Sequence, residues 1–157
     1  MSERGRAAAA GATAALVWAA VEPLDERLFR SDYRDVALLG KLVVRGRGWL
    51  PAGLALHAAN GAVFGLVFDA VRRRSGLPPR RLALGLALAE HVGLYPLGLL
   101  VDRHHPCRGE RHLPPLMSPR VFGQETFRHA VFGLVLGTLA PKKARPGDGT
   151  ALPAGRS

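Results

Sequence analysis

The sequence has one cysteine, few aromatic residues and very few lysines. Cys107 is alone among 157 residues, which excludes an intrachain disulfide and a redox-active cysteine pair. Only 6% of the residues are aromatic, and only three of the 22 basic residues are lysines. The chain also lacks a Walker loop, a dinucleotide-binding glycine fingerprint and a serine nucleophile elbow, so no catalytic residue can be named from motifs of that kind.

Acidic residues are also scarce, and the formal net charge is +10. Such a charge is typical of nucleic-acid-binding proteins. The arginines, however, are spread over every connecting segment and form no recognisable nucleic-acid module, so we do not expect nucleic acid as a partner. A membrane protein facing anionic lipid explains the charge equally well. A soluble basic protein that binds nucleic acid or an anionic lipid surface is kept as a third class.

Long apolar segments make up most of the chain. Three of them have about 20 residues, enough to cross a hydrocarbon layer of about 30 Å as helices, and a shorter alanine-rich segment precedes them. Glycines inside these segments favour membrane helices, because small residues let lipid-embedded helices approach closely. The sequence therefore predicts an all-α, four-helix transmembrane bundle with helices at about 7–24, 49–71, 82–101 and 121–140.

The segments outside these helices are charged or rich in proline. Residues 32–45 have the apolar spacing of a short amphipathic helix. We place residues 1–140 in a single membrane domain and expect residues 141–157 to form a disordered tail. Arg4 and Arg6 before the alanine run are also compatible with a signal peptide, so cleavage of the first helix stays open.

The hexapeptide AVFGLV occurs twice, at 62–67 and 130–135, and a histidine precedes each copy. Each histidine is followed by two glycines at four-residue spacing, which places all three on one helix face. This pattern predicts close helix packing through small residues. The two copies also raise the alternative of two tandem helix–loop–helix units, although such common residues can repeat by chance. The packing glycines are Gly61, Gly65, Gly133 and Gly137.

Polar side chains inside the apolar helices form the candidate site. An unpaired ionisable group in a membrane helix costs about 3 kcal/mol, so each one is a functional hypothesis. At a rise of about 1.5 Å per residue, the histidines of three helices fall at nearly one depth. The candidates are His57, Asn60, Glu90, His91, Glu125 and His129.

Three interpretations of this group are open. It can be a hydrogen-bond network that only fixes helix packing, for instance by pairing Glu125 with Arg128 and His57 with Glu90. It can hold zinc or iron, since imidazoles and carboxylates from facing helices are common ligands in helix bundles. It can also handle protons, cations or a small solute.

A weaker candidate metal site lies in the loop before the last helix. Cysteine and histidine at close spacing can bind zinc, although the paired ligand sets of zinc fingers are absent. A solvated loop is the alternative. The residues are His104, His105, Cys107 and His112.

The stretches EPLDERLFRSDYRDVALLGK, LHAANGAVFG and AEHVGLYPLGLLVDRHHP resemble a group of small, uncharacterised four-helix membrane proteins from GC-rich actinobacteria. The resemblance covers roughly residues 7–140. It implies a membrane location and assigns no activity and no catalytic residue.

We therefore expect a multi-pass protein of the bacterial cytoplasmic membrane, with both termini in the cytoplasm and the lipid bilayer around it. The preferred function is non-enzymatic: a structural or partner subunit that forms homo- or hetero-oligomers through its glycine faces, or a minor transport element. The alternative is a metal-dependent membrane enzyme, or a metal- or proton-handling protein, with a His/Glu site inside the bundle.

Overall fold

The structure, a computed structural model, describes residues 1–140, and within that range the chain is helical without any β-strand. The prediction of an all-α chain is confirmed. The expected tail at 141–157 lies outside the described residues. The helices are α1 (Glu3–Phe29), α2 (Asp35–Val43), α3 (Trp49–Arg74), α4 (Pro79–Leu94), α5 (Gly98–His104) and α6 (Pro119–Leu139), with a 3-10 turn at Tyr95–Leu97 between α4 and α5.

Helix α1 is longer than the sequence pattern predicts. It begins at a cap in which the Ser2 hydroxyl accepts a hydrogen bond from the Gly5 N–H at 3.1 Å. It continues through Pro23 and ends at Phe29, and the next residue, Arg30, has a left-handed φ of 51° that closes the last turn. The extension beyond the expected end at residue 24 brings Asp25 into the helix, on its buried side.

Backbone contact joins α1 to α3. A Cβ atom added at Gly61 would lie 2.5 Å from the carbonyl oxygen of Gly11, and one added at Gly65 would overlap the carbonyl oxygen of Ala7. Only glycine permits so close an approach. The glycines that are spaced four residues apart in α3 therefore lie in its contact with α1.

A similar contact joins α6 to α4. A Cβ atom added at Gly133 would lie 2.7 Å from the Cα of Leu84, and one added at Gly137 would lie 2.5 Å from the Cα of Arg80. The glycine faces of α3 and α6 are thus filled by helices of the same chain, so a partner protein would need to dock elsewhere. In contrast, Gly85 on α4 has open space around its Cα.

Helix α6 lies between α1 and α4 and contacts both, whereas α3 and α4 meet over a short length only. The short helix α2 lies against the start of α3, with Val36, Ala37 and Gly40 buried. This arrangement leaves room between α3 and α4.

Three helical stretches among residues 1–140 are long and apolar enough to cross a membrane, judged by length and composition: Glu3–Phe29, Trp49–Arg74 and Pro79–His104. The last of these combines α4 and α5. The fourth predicted span, α6, is not among them. Its first half carries Glu125 and Arg128, which lower its apolar character.

The outer faces of the helices are apolar, and their inner faces carry charge. Val63 on α3 is 60% exposed and Val92 on α4 is 61% exposed, whereas Arg128 and Asp25 are completely buried. Water-soluble proteins place most charged side chains outside and most large apolar side chains inside. The pattern is the one expected of helices that face lipid.

Candidate functional site

Arg128 lies at the centre of the helix packing. Its guanidinium donates two hydrogen bonds to Asp25 of α1, from Nη2 to Oδ1 and from Nε to Oδ2, both at 2.6 Å. Nη1 donates to Asp35 at 3.0 Å and to Glu125 at 3.2 Å, and lies 3.8 Å from Oε1 of Glu22. Four carboxyl groups therefore surround one guanidinium.

This cluster carries more carboxyl groups than positive charges. Buried charges persist only where they are paired and hydrogen-bonded. The cluster around Arg128 is therefore an environment that attracts protons or other cations.

Asp35 is held in place from two sides. Trp18 Nε1 donates to its Oδ2 at 3.1 Å, and the Tyr33 hydroxyl donates to its Oδ1 at 2.9 Å. Burial by itself raises the pKa of Asp35, but Arg128 and the hydrogen bonds it receives hold that pKa below its ordinary value. Burial and the Asp35 carboxylate hold the pKa of Tyr33 well above its ordinary value, so the Tyr33 hydroxyl keeps its proton.

Trp18 and the three histidines predicted at one depth form a chain of ring contacts. The Trp18 ring centroid lies 5.2 Å from that of His57 and 4.5 Å from that of His129, and the His91 and His129 centroids are 4.7 Å apart. Ring-to-ring contact joins them. Within residues 1–140, no three His, Cys, Asp or Glu side chains are placed to hold one metal ion.

Hydrogen bonds assign the donor nitrogen of two of these rings. His129 Nδ1 lies 2.7 Å from the backbone oxygen of Glu125, which can only accept, so Nδ1 carries the proton. His91 Nε2 lies 3.0 Å from the Thr126 hydroxyl oxygen, and that hydroxyl donates to the backbone oxygen of Phe122 at 2.8 Å. His91 Nε2 is therefore also a donor. In the neutral form, each ring keeps an acceptor nitrogen on its other side.

A cavity of about 270 Å³ lies beside the cluster, where α3 and α4 diverge. Aromatic side chains from several helices form part of its wall, with Trp18, Phe64 and Phe132 among them. All six polar residues of the sequence-based prediction line this cavity, together with Tyr33 and Asp35: His57, Asn60, Glu90, His91, Glu125 and His129.

Several polar groups of the cavity have no partner within residues 1–140. His57 is 6% exposed, and its Nε2 has no hydrogen-bond partner. The carboxylate of Glu90 is half-buried and makes no hydrogen bond or ion pair in that range, and neither does the exposed amide of Asn60. The predicted pairing of His57 with Glu90 does not form, whereas the predicted pairing of Glu125 with Arg128 does.

The loop histidines serve a different purpose. His105 contacts a backbone oxygen of α2 through Nε2 at 3.0 Å, and its Nδ1 accepts from the backbone N–H of Cys107 at 3.2 Å. His112 Nδ1 lies 3.0 Å from a backbone oxygen in the turn before α2. His104 is exposed. These contacts attach the loop to α2, and the structure does not gather the four residues into a ligand set.

Sequence reasoning left Trp18, Asp25, Tyr33 and Asp35 out of the site. The available signal was the spacing of Trp18, Glu22 and Asp25, which places an indole and two acids on one face of an otherwise apolar helix. Because the sequence-based prediction ends this helix at residue 24, it leaves Asp25 outside the helix and this shared face unrecognised. The contribution of Tyr33 and Asp35 depends on how the following turn folds back, for which the sequence has no local signal.

No protein-family model, no curated protein and no solved structure matches this chain. The class of protein is therefore defined by the structure itself. Residues 1–140 form a helical protein with three stretches able to cross a membrane and a polar centre beside an interhelical cavity.

Proposed function

We propose that the protein is a multi-pass protein of the bacterial cytoplasmic membrane in which α6 is a fourth span and completes a four-helix bundle. The charged groups of α6 support this, because Arg128 is completely buried and Glu125 pairs with it instead of facing outward. The outer side of α6 is apolar, with Leu134 and Leu139 exposed. A helix with paired polar groups on its inner side is tolerated in lipid.

Within this bundle, the protein binds a small solute in the cavity between α3 and α4, as a minor transport element or as the binding subunit of a larger assembly. One observation carries this proposal: the cavity is lined by His57, whose buried Nε2 has no hydrogen-bond partner in the described part of the chain, and by Glu90, whose carboxylate makes no hydrogen bond or ion pair there. Ionisable groups inside a membrane are costly unless they serve a function, and ligand sites combine an apolar wall with a few convergent polar groups.

A purely structural role fits the cavity less well than it fits the Arg128 cluster. A network that only fixes packing satisfies its own donors and acceptors. The guanidinium of Arg128 meets that condition, since Nε, Nη1 and Nη2 each donate to an oxygen. His57 Nε2 and the Glu90 carboxylate do not. We therefore assign packing to Arg128 and the carboxyl groups paired with it, and binding to the cavity.

Fractionation tests the location. Membranes from cells expressing the full chain are washed with high salt, and the protein is expected to stay in the membrane until detergent is added. Release by salt alone would contradict the proposal and favour a basic protein bound to a charged surface.

Blocking the cavity tests the binding role. Asn60 is exposed and lines the cavity, so Asn60→Trp places a bulky ring at its edge. Val63→Trp is the matched control, because Val63 is exposed on the same helix and is not part of the lining. With detergent-purified protein, saturable binding of a small solute is expected in the native chain and in Val63→Trp, and its loss in Asn60→Trp. If no solute of either charge and no neutral solute binds, the cavity is not a binding site.

A further inference from the structure

We propose that the ligand of this cavity is a small organic cation that donates N–H hydrogen bonds, namely a primary ammonium compound with a short apolar body. This inference rests on the proposed binding role and specifies the chemistry of the ligand. It follows from the polarity of the unpartnered groups, from the charge around them and from the aromatic wall.

The unpartnered groups are acceptors. His129 and His91 use one ring nitrogen each as a donor to the oxygens beside them, which leaves the other nitrogen with a lone pair. His57 Nε2 is buried and has no hydrogen-bond partner. A neutral imidazole has one acceptor nitrogen, so His57 Nε2 is available to accept from an N–H donor in the cavity. The carboxylate of Glu90, which has no partner within residues 1–140, is the fourth acceptor.

The same rings cannot all be protonated to become donors toward an anion. The ring centroids of His91 and His129 are 4.7 Å apart, and Trp18 contacts both His129 and His57. Several positive charges at such distances, removed from water, repel one another strongly. Neutral imidazoles that accept hydrogen bonds are the stable arrangement.

The surrounding charge favours a cation. Glu90 and Glu125 both line the cavity, and the cluster behind Glu125 already holds four carboxyl groups to one guanidinium. An anion would be placed next to this excess of carboxyl groups in a medium of low dielectric constant, where repulsion is weakly screened. A cation would instead compensate it.

The wall distinguishes an organic cation from a metal ion. Trp18, Phe64, Tyr95 and Phe132 line the cavity, and aromatic faces attract ammonium groups. A volume of about 270 Å³ corresponds to about nine water molecules at their liquid volume, which suits a compound of a few carbon atoms. No three metal-ligating side chains in residues 1–140 converge on one point, as a metal ion would require.

A panel of four-carbon probes tests the inference. The full chain in detergent at pH 7 is titrated with n-butylammonium, n-butyrate, 1-butanol and tetramethylammonium, and binding is followed by calorimetry. Saturable binding is expected for n-butylammonium. The other three probes lack either the positive charge or the N–H donors, and we expect each to bind at least about tenfold more weakly, the factor for one charge-assisted hydrogen bond.

Two variants locate the binding. Glu90→Gln removes a carboxylate that has no partner within residues 1–140, so the fold is expected to survive, and the affinity for n-butylammonium is expected to fall by about tenfold or more. His57→Phe keeps a ring against Trp18 and removes the acceptor nitrogen. It is expected to lower the affinity for n-butylammonium by less than Glu90→Gln does. Glu110→Gln, an exposed loop carboxylate, is the matched control and leaves the affinity unchanged.

The possible failures are distinguishable. Binding of n-butyrate or 1-butanol that equals or exceeds binding of n-butylammonium overturns the cation inference and keeps the binding role. Equal binding of tetramethylammonium overturns the N–H donor requirement. An unchanged affinity for n-butylammonium in Glu90→Gln overturns the placement of the ligand in this cavity. If none of the four probes binds, the proposed function fails together with the inference.

Discussion

Arg128 of α6 and Asp25 of α1 form a two-bond ion pair at 2.6 Å in which both side chains are completely excluded from solvent. The pair joins α6, which is not among the three candidate membrane spans, to α1. Removing Arg128 leaves the buried carboxyl groups around it without their positive counter-charge, which is much more costly than the loss of an exposed pair. The attachment of α6 to α1 therefore depends on this contact.

Arg128→Met is expected to lower the free energy of unfolding by about 3–5 kcal/mol, because the buried Asp25 carboxylate loses its counter-charge. The measurement is thermal or denaturant unfolding of the detergent-purified chain. Glu110→Gln is the control, since the exposed ion pair of Glu110 with Lys41 contributes little. Equal stability of the two variants would show that the buried pair does not hold α6 in place.

Gly61→Ala is expected to destabilise the fold by about 1–3 kcal/mol, because the new methyl group meets the Gly11 carbonyl oxygen. Gly85→Ala is the matched control, as its Cβ would enter open space. There, alanine favours the helix by about 1 kcal/mol. Unfolding measurements on both variants should therefore give changes of opposite sign. A loss of stability in both would mean that α4 uses its glycine face as well.

Val63→Glu tests whether α3 faces lipid. Val63 is 60% exposed, and a charged residue near the middle of a membrane helix costs about 2.5–3.5 kcal/mol in insertion. We expect much less of this variant in the membrane fraction. Leu77→Glu, in the exposed turn between α3 and α4, should insert like the native chain. Normal yields of a salt-soluble Val63→Glu protein would contradict the membrane assignment.

Asp35→Asn tests the lowered pKa of Asp35. Because the folded-state pKa lies below the unfolded one, the carboxylate stabilises the fold fully above the ordinary value of about 3.9, and this stabilisation is lost as pH falls through the folded-state pKa. The stability difference between native chain and variant should be constant from about pH 7 to about pH 5 and should shrink below about pH 4. A difference that grows on acidification would contradict the ion pair with Arg128.

Much of the helical organisation follows from local sequence. The apolar segments that predict helices two and three lie within α3 and within the α4–α5 stretch, and both are candidate spans. The histidines and the Glu125–Arg128 pair could be singled out because each interrupts an apolar run. The end of helix α1 could not be predicted correctly, because Pro23 and the acids beside it are typical of a helix end. Contacts of this last part of α1 with α6 and with the start of α2 accompany the continuation of the helix.

The sequence by itself determined that the described part of the chain is helical, where small residues allow close packing and that His57, His91 and His129 are buried. These properties depend on residue type and on spacing along one helix, which physical chemistry translates directly into faces and lengths. Only the tertiary structure decided that Asp25 and Asp35 meet Arg128, that His57 keeps an unpartnered nitrogen and that α3 and α4 diverge around a cavity. Those features arise between segments far apart in the chain, and they depend on how each helix is rotated and offset against its neighbours, which no local pattern specifies.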